Sequence, residues 1–229
     1  MMSIKQSIKK MISNNPVANA RRAKMRRELQ NKDFSLLSPN CLGGILLHDL
    51  GLRFLSPTVN LMMKQDEFLQ FVLHLDEYLN GDLSFFSNPE DTCPCAYLNA
   101  ENLVPILITF THYKTAEEAE TKWKERVTRI NKDNLFVFLE ERDAISYEDL
   151  KKLGSVHARG VLAFTCNNYP DLPYCVYLEK YHKSGEVGNV LQKFLLDDSR
   201  EYEHVFDFVR WFNEADGGDY NVQKFTRRR

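Results

Sequence analysis

The sequence predicts an α/β fold: a three-layer α/β/α domain around a mostly parallel, or mixed, sheet, preceded by a basic helical arm. Three observations support this class. Apolar runs of strand length alternate with longer segments of helical periodicity, and the turns between them are short and polar. The chain of 229 residues is 43% hydrophobic and 27% charged, which suits one large domain with a sizeable core.

The predicted strands are short runs of apolar, β-branched and aromatic residues bounded by turn-forming residues. The run Val104 to Phe110 is the strongest of them. Pro170 and Pro173 precede the last run, which therefore either extends the sheet or forms its edge. In chain order, the predicted strands are 34–37, 58–63, 104–110, 135–139, 161–164 and 174–178.

The predicted helices are placed by their caps and by apolar stripes at helical spacing. Asp66 is expected to cap one helix, and Asn80-Gly81-Asp82 to end it. Thr115 and Glu118 form a capping-box pattern at the start of another. The predicted helices span about 43–50, 66–79, 116–130, 147–153 and 201–212.

Charge divides the chain unevenly. Residues 1–32 hold nine basic side chains and one acid, whereas the whole chain has a net charge of −2. Ile4, Ile8, Met11 and Ile12 recur at helical spacing, which predicts a basic amphipathic helix on an anionic membrane surface. A helix packed on the body or on a partner, or a solvated arm, would show the same pattern. We expect a domain at 33–215 that folds without the arm, and a basic tail at 216–229.

Several classes of protein are disfavoured. No apolar run approaches the length of about 18 residues that a membrane-spanning helix needs, and the N-terminus lacks the apolar block of a secretory signal. The five cysteines form neither a disulfide framework nor paired metal-binding motifs. We therefore expect a cytoplasmic protein, in peripheral contact with the inner face of the membrane through residues 1–32, with no nucleic-acid partner.

Three polar loops are expected to emerge at the carboxyl ends of strands, where open α/β sheets bind ligands. They are Ser38–Gly44, Thr111–Lys114 and Glu140–Asp143. Because these ends meet at one edge of a parallel sheet, the loops would share a cleft.

The first loop contains Asn40, Cys41, Gly43 and Gly44. Two glycines let a backbone approach a ligand, and the helix that follows offers free N–H groups to an anion. The same helix end would favour the thiolate of Cys41, a candidate nucleophile. The loop matches neither a Walker motif nor a dinucleotide fingerprint. A tight turn with a small buried thiol is the alternative.

The second loop contains His112, a candidate general base held by a rigid strand. Tyr113 would offer an aromatic face to a sugar or base, and Lys114 a cation. The alternative is a histidine that hydrogen-bonds nearby backbone. His48 is expected to be exposed.

Arg126 lies beside the apolar stripe of the predicted helix 116–130, so it is expected to be partly buried and paired. Asp133, Asp143 and Glu140 are candidate partners for Arg126 and for Arg129. A structural ion pair is favoured over a ligand clamp.

The chain resembles, over about residues 33–165, a bacterial family known as domain of unknown function 1919. Its members commonly carry the label of exopolysaccharide or capsular polysaccharide biosynthesis protein, and the family resembles a three-layer α/β domain. The chain departs from the common form by its basic arm and by Cys93-Pro94-Cys95. The resemblance rests on the ordered strings Ser38 to Gly44, Leu50-Gly51-Leu52, Ser56 to Leu61, His112-Tyr113, Trp123 to Arg126, Arg129-Ile130-Asn131 and Asp133-Asn134.

Together, the loops and the resemblance predict a transferase of surface-polysaccharide biosynthesis. It would move a glycosyl, acyl or phosphate-linked group onto a sugar hydroxyl, with an activated sugar or acyl donor and a polysaccharide intermediate as partners. His112 would act as base, while the backbone of Cys41 to Gly44, with Lys114 or Arg126, would hold the donor's phosphate or the developing oxyanion. A non-catalytic polysaccharide-binding or assembly protein of the same pathway is the alternative.

Overall fold

The fold is built on a central parallel sheet and a smaller antiparallel sheet, seen in a computed structural model that describes residues 15–86, 92–195 and 197–227. The strands are β1 (Ser35–Leu37), β2 (Asp82–Phe86), β3 (Cys95–Asn99), β4 (Ile106–Thr109), β5 (Leu135–Glu140), β6 (Gly160–Thr165) and β7 (Cys175–Tyr177). The parallel sheet has the order β1-β5-β6-β7 and the antiparallel sheet the order β2-β3-β4. The predicted α/β class is confirmed.

Helices cover both faces of the parallel sheet. Short 3-10 turns at Lys132–Asn134, Glu179–Ser184 and Gln223–Phe225 complete the described elements. The helices are α1 (Pro16–Glu28), α2 (Cys41–Leu50), α3 (Gln65–Leu73), α4 (Leu75–Leu79), α5 (Ala116–Val127), α6 (Tyr147–Leu153), α7 (Glu201–Val205) and α8 (Phe208–Glu214).

The central strand β5 separates two apolar cores. Successive strand residues point to opposite faces, and all six residues of β5 are buried. Leu135, Val137 and Leu139 belong to the core that also contains α3, α6 and the antiparallel sheet. Phe136 and Phe138 belong to the core that contains α2 and α8. A near-continuous apolar strand is what burial on both faces requires.

The strand predicted at 58–63 is wrong. Only Met62 makes a ladder-type pair there, an isolated antiparallel bridge to Thr109. Asn60 adopts a left-handed conformation with φ 66°, which interrupts an extended backbone. Val59 and Leu61 are buried, so the apolar alternation reflects a loop packed onto the body.

Two predicted helices are each divided in two. The segment 66–79 begins at Gln65 rather than after Asp66, and it breaks at His74, whose φ and ψ are −122° and 44°. The segment 201–212 breaks at Phe206 and Asp207, where the Asp207 carboxylate accepts the Arg210 N–H and starts α8.

The run 104–110 forms β4, but it lies in the antiparallel sheet rather than in the parallel one. Its partners β2 and β3 were not predicted. The inner face of this small sheet packs into the core, whereas Phe86 and Tyr97 stack on the outer face with ring centroids 5.3 Å apart.

Both ends of the described chain pack on the body. Leu29 and Ala18 are buried, so the expectation that the core does not depend on the arm is wrong for residues 15–32. Val222 and Phe225, in the predicted tail, are also buried core residues. The amphipathic helix predicted around Ile4 to Ile12 lies outside the described residues. Among the helices of the described ranges, none is long and apolar enough to cross a membrane.

The burial of Leu29 leads to a prediction about stability. We expect Leu29→Ala to lower the free energy of unfolding by about 2–5 kcal/mol, because it leaves a cavity in a packed core. Val17→Ala, in α1 at a residue that is 55% exposed, should change it by no more than about 0.5 kcal/mol. Urea denaturation of both variants measures this, and equal stabilities would show that Leu29, at the end of α1, does not contribute to the core.

Candidate functional site

The predicted loops after β1 and β5 meet at one edge of the parallel sheet. The two strands are neighbours and run in the same direction, so their carboxyl ends lie side by side. The amide Nδ2 of Asn40 donates a hydrogen bond to the buried carboxyl of Glu140 across this edge. The loops after β1 and β5 therefore meet, as the predicted parallel sheet requires.

The second loop, Thr111–Lys114, reaches the same place from the antiparallel sheet, because His112 follows β4. The segment 60–63 joins the two sheets. Met62 pairs with Thr109, and the Met63 N–H donates to the carbonyl of Pro39 at 2.9 Å. The Thr111 hydroxyl donates to the carbonyl of Asn60 at 3.5 Å.

Cys41 and His112 form a thiol–imidazole pair at this junction. The sulfur Sγ of Cys41 lies 3.4 Å from Nε2 of His112, and the hydroxyl of Thr111 lies 4.0 Å from the same sulfur. His112 is exposed and Cys41 is half-buried, so the pair faces an open groove of about 410 Å³. The groove is lined by Cys41, Gly44, Ile45, His48, Asp49, Phe54, Asn60, His112 and Arg200.

At the N-terminus of α2, the N–H groups of Leu42 and Gly43 are hydrogen-bonded to side chains of the preceding loop. Asn40 caps the helix by accepting the Leu42 N–H through Oδ1, and the hydroxyl of Ser38 accepts the Gly43 N–H at 3.1 Å. A Cβ on Gly43 would lie 2.4 Å from the Ser38 oxygen, and one on Gly44 would lie 3.1 Å from Val59. The glycines thus allow close packing of the helix, and Leu42 and Gly43 offer no free N–H to a phosphate.

Tyr113 and Arg126 are brought together in the core, and neither of them lines the groove. The guanidinium Nη1 of Arg126 donates to the Tyr113 hydroxyl at 2.6 Å and to the Val59 carbonyl at 2.8 Å. The cation also lies over the rings of Phe54 and Tyr113. Burial raises the pKa of Tyr113, against the opposing effect of the Arg126 charge, so the phenol stays neutral. The carboxylate partner predicted for Arg126 is therefore wrong, and the ring of Tyr113 is not free to stack on a ligand.

The remaining predicted cations lie outside the groove lining. Lys114 is exposed, and its backbone N–H donates to the Glu118 carboxylate at 3.3 Å. Arg129 pairs with Glu125 of the same helix rather than with Asp133, Asp143 or Glu140. His48 is 79% exposed in its side chain, as predicted, and it borders the groove.

Three polar residues of the groove were not predicted from the sequence, in addition to the apolar Ile45 and Phe54. Asn60 was placed in a strand. Asp49 was noted only as the neighbour of His48, although its carboxylate is buried and pairs with Nε of Arg22 at 2.9 Å. Arg200 lies far away in the sequence, and no local pattern marks it. His48 lies seven residues after Cys41, on the same face of the helix. This spacing is the sequence signal that could have extended the predicted site along α2 towards Asp49 and Arg200.

Glu140 is a buried carboxyl beneath this site. Burial raises its pKa to about 7, although the charge of Arg142 and the hydrogen bond from Asn40 act in the opposite direction. Its partner Asn40 directly precedes Cys41. The protonation state of Glu140 thus bears on the residue that caps α2.

A second groove, of about 510 Å³, lies between the end of β7 and α7. Its buried acid, Glu201, already binds Lys180 and accepts the Tyr181 hydroxyl at 3.1 Å. Among its lining residues there is no thiol–imidazole pair, so the smaller groove is the better candidate for chemistry.

The fold and the groove define an α/β protein with a thiol–imidazole pair at the edge of its parallel sheet. Residues 12–213 match the family described as Domain of unknown function (DUF1919), and the chain belongs to that family. It is 32% identical over 191 residues to an uncharacterised protein of Haemophilus influenzae, covering 83% of this chain and 89% of that protein. The predicted family membership is confirmed, and the match includes α1.

The raised pKa of Glu140 predicts a pH-dependent contribution to stability. Between about pH 4.5 and 7, the folded state keeps a proton that the unfolded chain has lost, so this contribution falls as the pH rises. Glu140→Gln removes the effect. The free energy of unfolding of the variant, relative to that of the wild type, should therefore rise by up to about 3 kcal/mol from about pH 4.5 to 8. Each pH unit between the two pKa values contributes about 1.4 kcal/mol to this difference.

Denaturation curves across this pH range provide the measurement. Exposed Glu101→Gln is the control, and its stability relative to the wild type should not change with pH. A flat difference for Glu140→Gln as well would contradict the raised pKa.

Proposed function

We propose that this protein is a transferase of surface-polysaccharide biosynthesis that passes an acyl group through Cys41 to a sugar hydroxyl. The observation that carries the chemistry is the distance of 3.4 Å between the Cys41 sulfur and His112 Nε2 at an open groove. The choice of pathway rests on the label of polysaccharide biosynthesis that members of the resembled family commonly carry. Among glycosyl, acyl and phosphate-linked groups, the acyl group suits a thiol nucleophile best, because it forms a thioester.

The first half-reaction would load the enzyme. His112 accepts the thiol proton of Cys41, and the sulfur attacks the carbonyl carbon of the activated acyl donor. The bond from this carbon to the leaving group breaks, and the leaving group takes the proton from His112. The side-chain amide of Asn60, which borders the groove, is the donor available to the developing oxyanion.

The second half-reaction would deliver the acyl group. His112 takes the proton of the sugar hydroxyl while the oxygen of this hydroxyl attacks the thioester carbon. The carbon–sulfur bond breaks, and the proton returns to the sulfur. The open groove suits this step, since a long acceptor can lie along it without being enclosed.

The dyad can be tested with p-nitrophenyl acetate as a simple acyl donor and mass spectrometry of the intact protein. We expect an acetyl adduct on Cys41 that disappears in Cys41→Ala and forms about 10²–10⁴-fold more slowly in His112→Ala. Cys93→Ala and His157→Ala are matched controls, because neither residue lines the groove. In cells, His112→Ala should abolish modification of the surface polysaccharide.

Two outcomes would overturn the assignment: adduct formation that does not depend on His112, or surface polysaccharide that is still modified as in the wild type when the folded His112→Ala variant replaces it. Circular dichroism establishes that each variant is folded. An adduct on another cysteine would equally exclude Cys41 as nucleophile.

A non-catalytic polysaccharide-binding protein is the second candidate. The stacked and exposed pair Phe86 and Tyr97 favours it, because exposed aromatic patches mark binding surfaces. Oligosaccharide binding that is lost in Tyr97→Ala, without any acetyl adduct on Cys41, would support this candidate over the transferase.

The proposal includes a cytoplasmic location with peripheral contact of residues 1–32 at the inner face of the membrane. Its support is the basic charge of this segment. Arg21, Arg22 and Arg26 already bind carboxylates or carbonyls of the body. The contact would therefore depend on the other six basic residues: Lys5, Lys9 and Lys10, which lie outside the described residues, and Lys24, Arg27 and Lys32, which are exposed.

Vesicle sedimentation tests this contact. The wild type should sediment with anionic vesicles at low salt and be released at high salt, since each basic residue near the surface contributes about 1 kcal/mol. Replacing Lys5, Lys9 and Lys10 by Gln should weaken sedimentation clearly, because it removes half of the six available basic residues. The same change at exposed Lys124, Lys151 and Lys183 is the control, and equal losses in both variants would count against a contact through the arm.

A further inference from the structure

We propose that the end of the groove away from Cys41 is a subsite for an anionic group of the substrate, a phosphate or a carboxylate. The inference rests on the proposed function of the same groove and adds a chemical class to its substrate. Arg200, with His48 beside it, would hold the anion.

Helix α2 fixes the distance between the two ends. Cys41 and His48 both border the groove, and Gly44 and Ile45 lie between them on the same helix face. Seven residues of α-helix rise about 10 Å. A ligand that fills the groove therefore presents its reacting carbon at the thiol and its other end about 10 Å away.

Positive charge is concentrated at that other end. Asp49 is the carboxylate of the groove lining, and its Oδ1 already binds Nε of Arg22 at 2.9 Å. Arg26 approaches from the same side, but its partners are the carbonyl oxygens of Asp49 and His48. Arg200 lies with its Nε 4.0 Å from the Asp49 carboxylate. The guanidinium groups of Arg22, Arg26 and Arg200 thus lie around Asp49, and Arg22 also binds the carboxylate of Asp198 at 3.1 Å. Three cations against two carboxylates favour an anionic ligand over a cationic one.

Arg200 has the chemistry and the freedom to bind such a group. Its Nη1 donates to the Leu191 carbonyl at 3.2 Å, which holds the side chain in place. Within the described ranges, its guanidinium makes no hydrogen bond to a carboxylate, because Asp49 is beyond hydrogen-bond distance. A planar guanidinium binds phosphate or carboxylate oxygens through two parallel N–H groups. Arg200 lines the groove, and its buried Nε has no hydrogen-bond partner among the described residues.

Calorimetric titration with three related probes tests the subsite. We expect glucose 1-phosphate or glucuronate to bind the full-length protein at least tenfold more tightly than glucose, and which of the two binds tells a phosphate from a carboxylate ligand. Arg200→Gln should reduce binding of the anionic probe to the level of glucose. Arg200→Lys, which keeps the charge but loses the planar group, should retain part of it.

Arg53→Gln is the matched control, because Arg53 is exposed and does not line the groove. Any of three results would overturn the subsite. These are equal affinity for glucose and both anionic probes, no binding of either anion, and unchanged anion binding in Arg200→Gln. These measurements do not depend on the thiol. A protein that prefers anions but takes no acetyl adduct on Cys41 would therefore keep the subsite and lose the proposed acyl transfer.

Discussion

The buried guanidinium of Arg126 fixes the relative positions of the two loops on which the groove depends. It binds the carbonyl of Val59, next to Asn60, and the hydroxyl of Tyr113, next to His112. A buried charge is costly unless its donors are satisfied, and here a carbonyl, a phenol and two aromatic rings take the place of a carboxylate. Because helix α5 carries this cation, the packing of one helix sets the place of the imidazole beside the thiol.

Much of the parallel sheet could be predicted from the sequence, since strands buried on both faces leave nearly continuous apolar runs. The runs at β1 and β5 are of this kind, and their order explains why Asn40 meets Glu140. Cys41 and His112 could also be predicted as site residues, because both follow apolar runs and carry reactive side chains. The distance between them could not be predicted, since it depends on the connection between two sheets.

Other features escaped prediction for physical reasons. Val59, Leu61 and Met63 are buried at every second position. An edge strand and a loop that packs onto the body both show this alternation, so the sequence does not distinguish them. Likewise, Arg126 beside an apolar stripe indicates burial, but the sequence does not say that a carbonyl will be its partner. Gly43 indicates close approach, and only the structure shows that the approaching group is Ser38 rather than a ligand.

The ion pair between Arg22 of α1 and Asp49 of α2 constrains how the family can change over time. Loss of Arg22 alone would remove the guanidinium that contacts this buried carboxylate at 2.9 Å and leave Arg200, at 4.0 Å, as its remaining arginine partner, which we expect to lower the stability of the fold. Substitutions at positions 22 and 49 are therefore expected to occur together, or to be preceded by another cation at the same place. Since the family match begins at residue 12, both partners lie within the shared region. Helices α1 and α2 would then be inherited as a coupled pair.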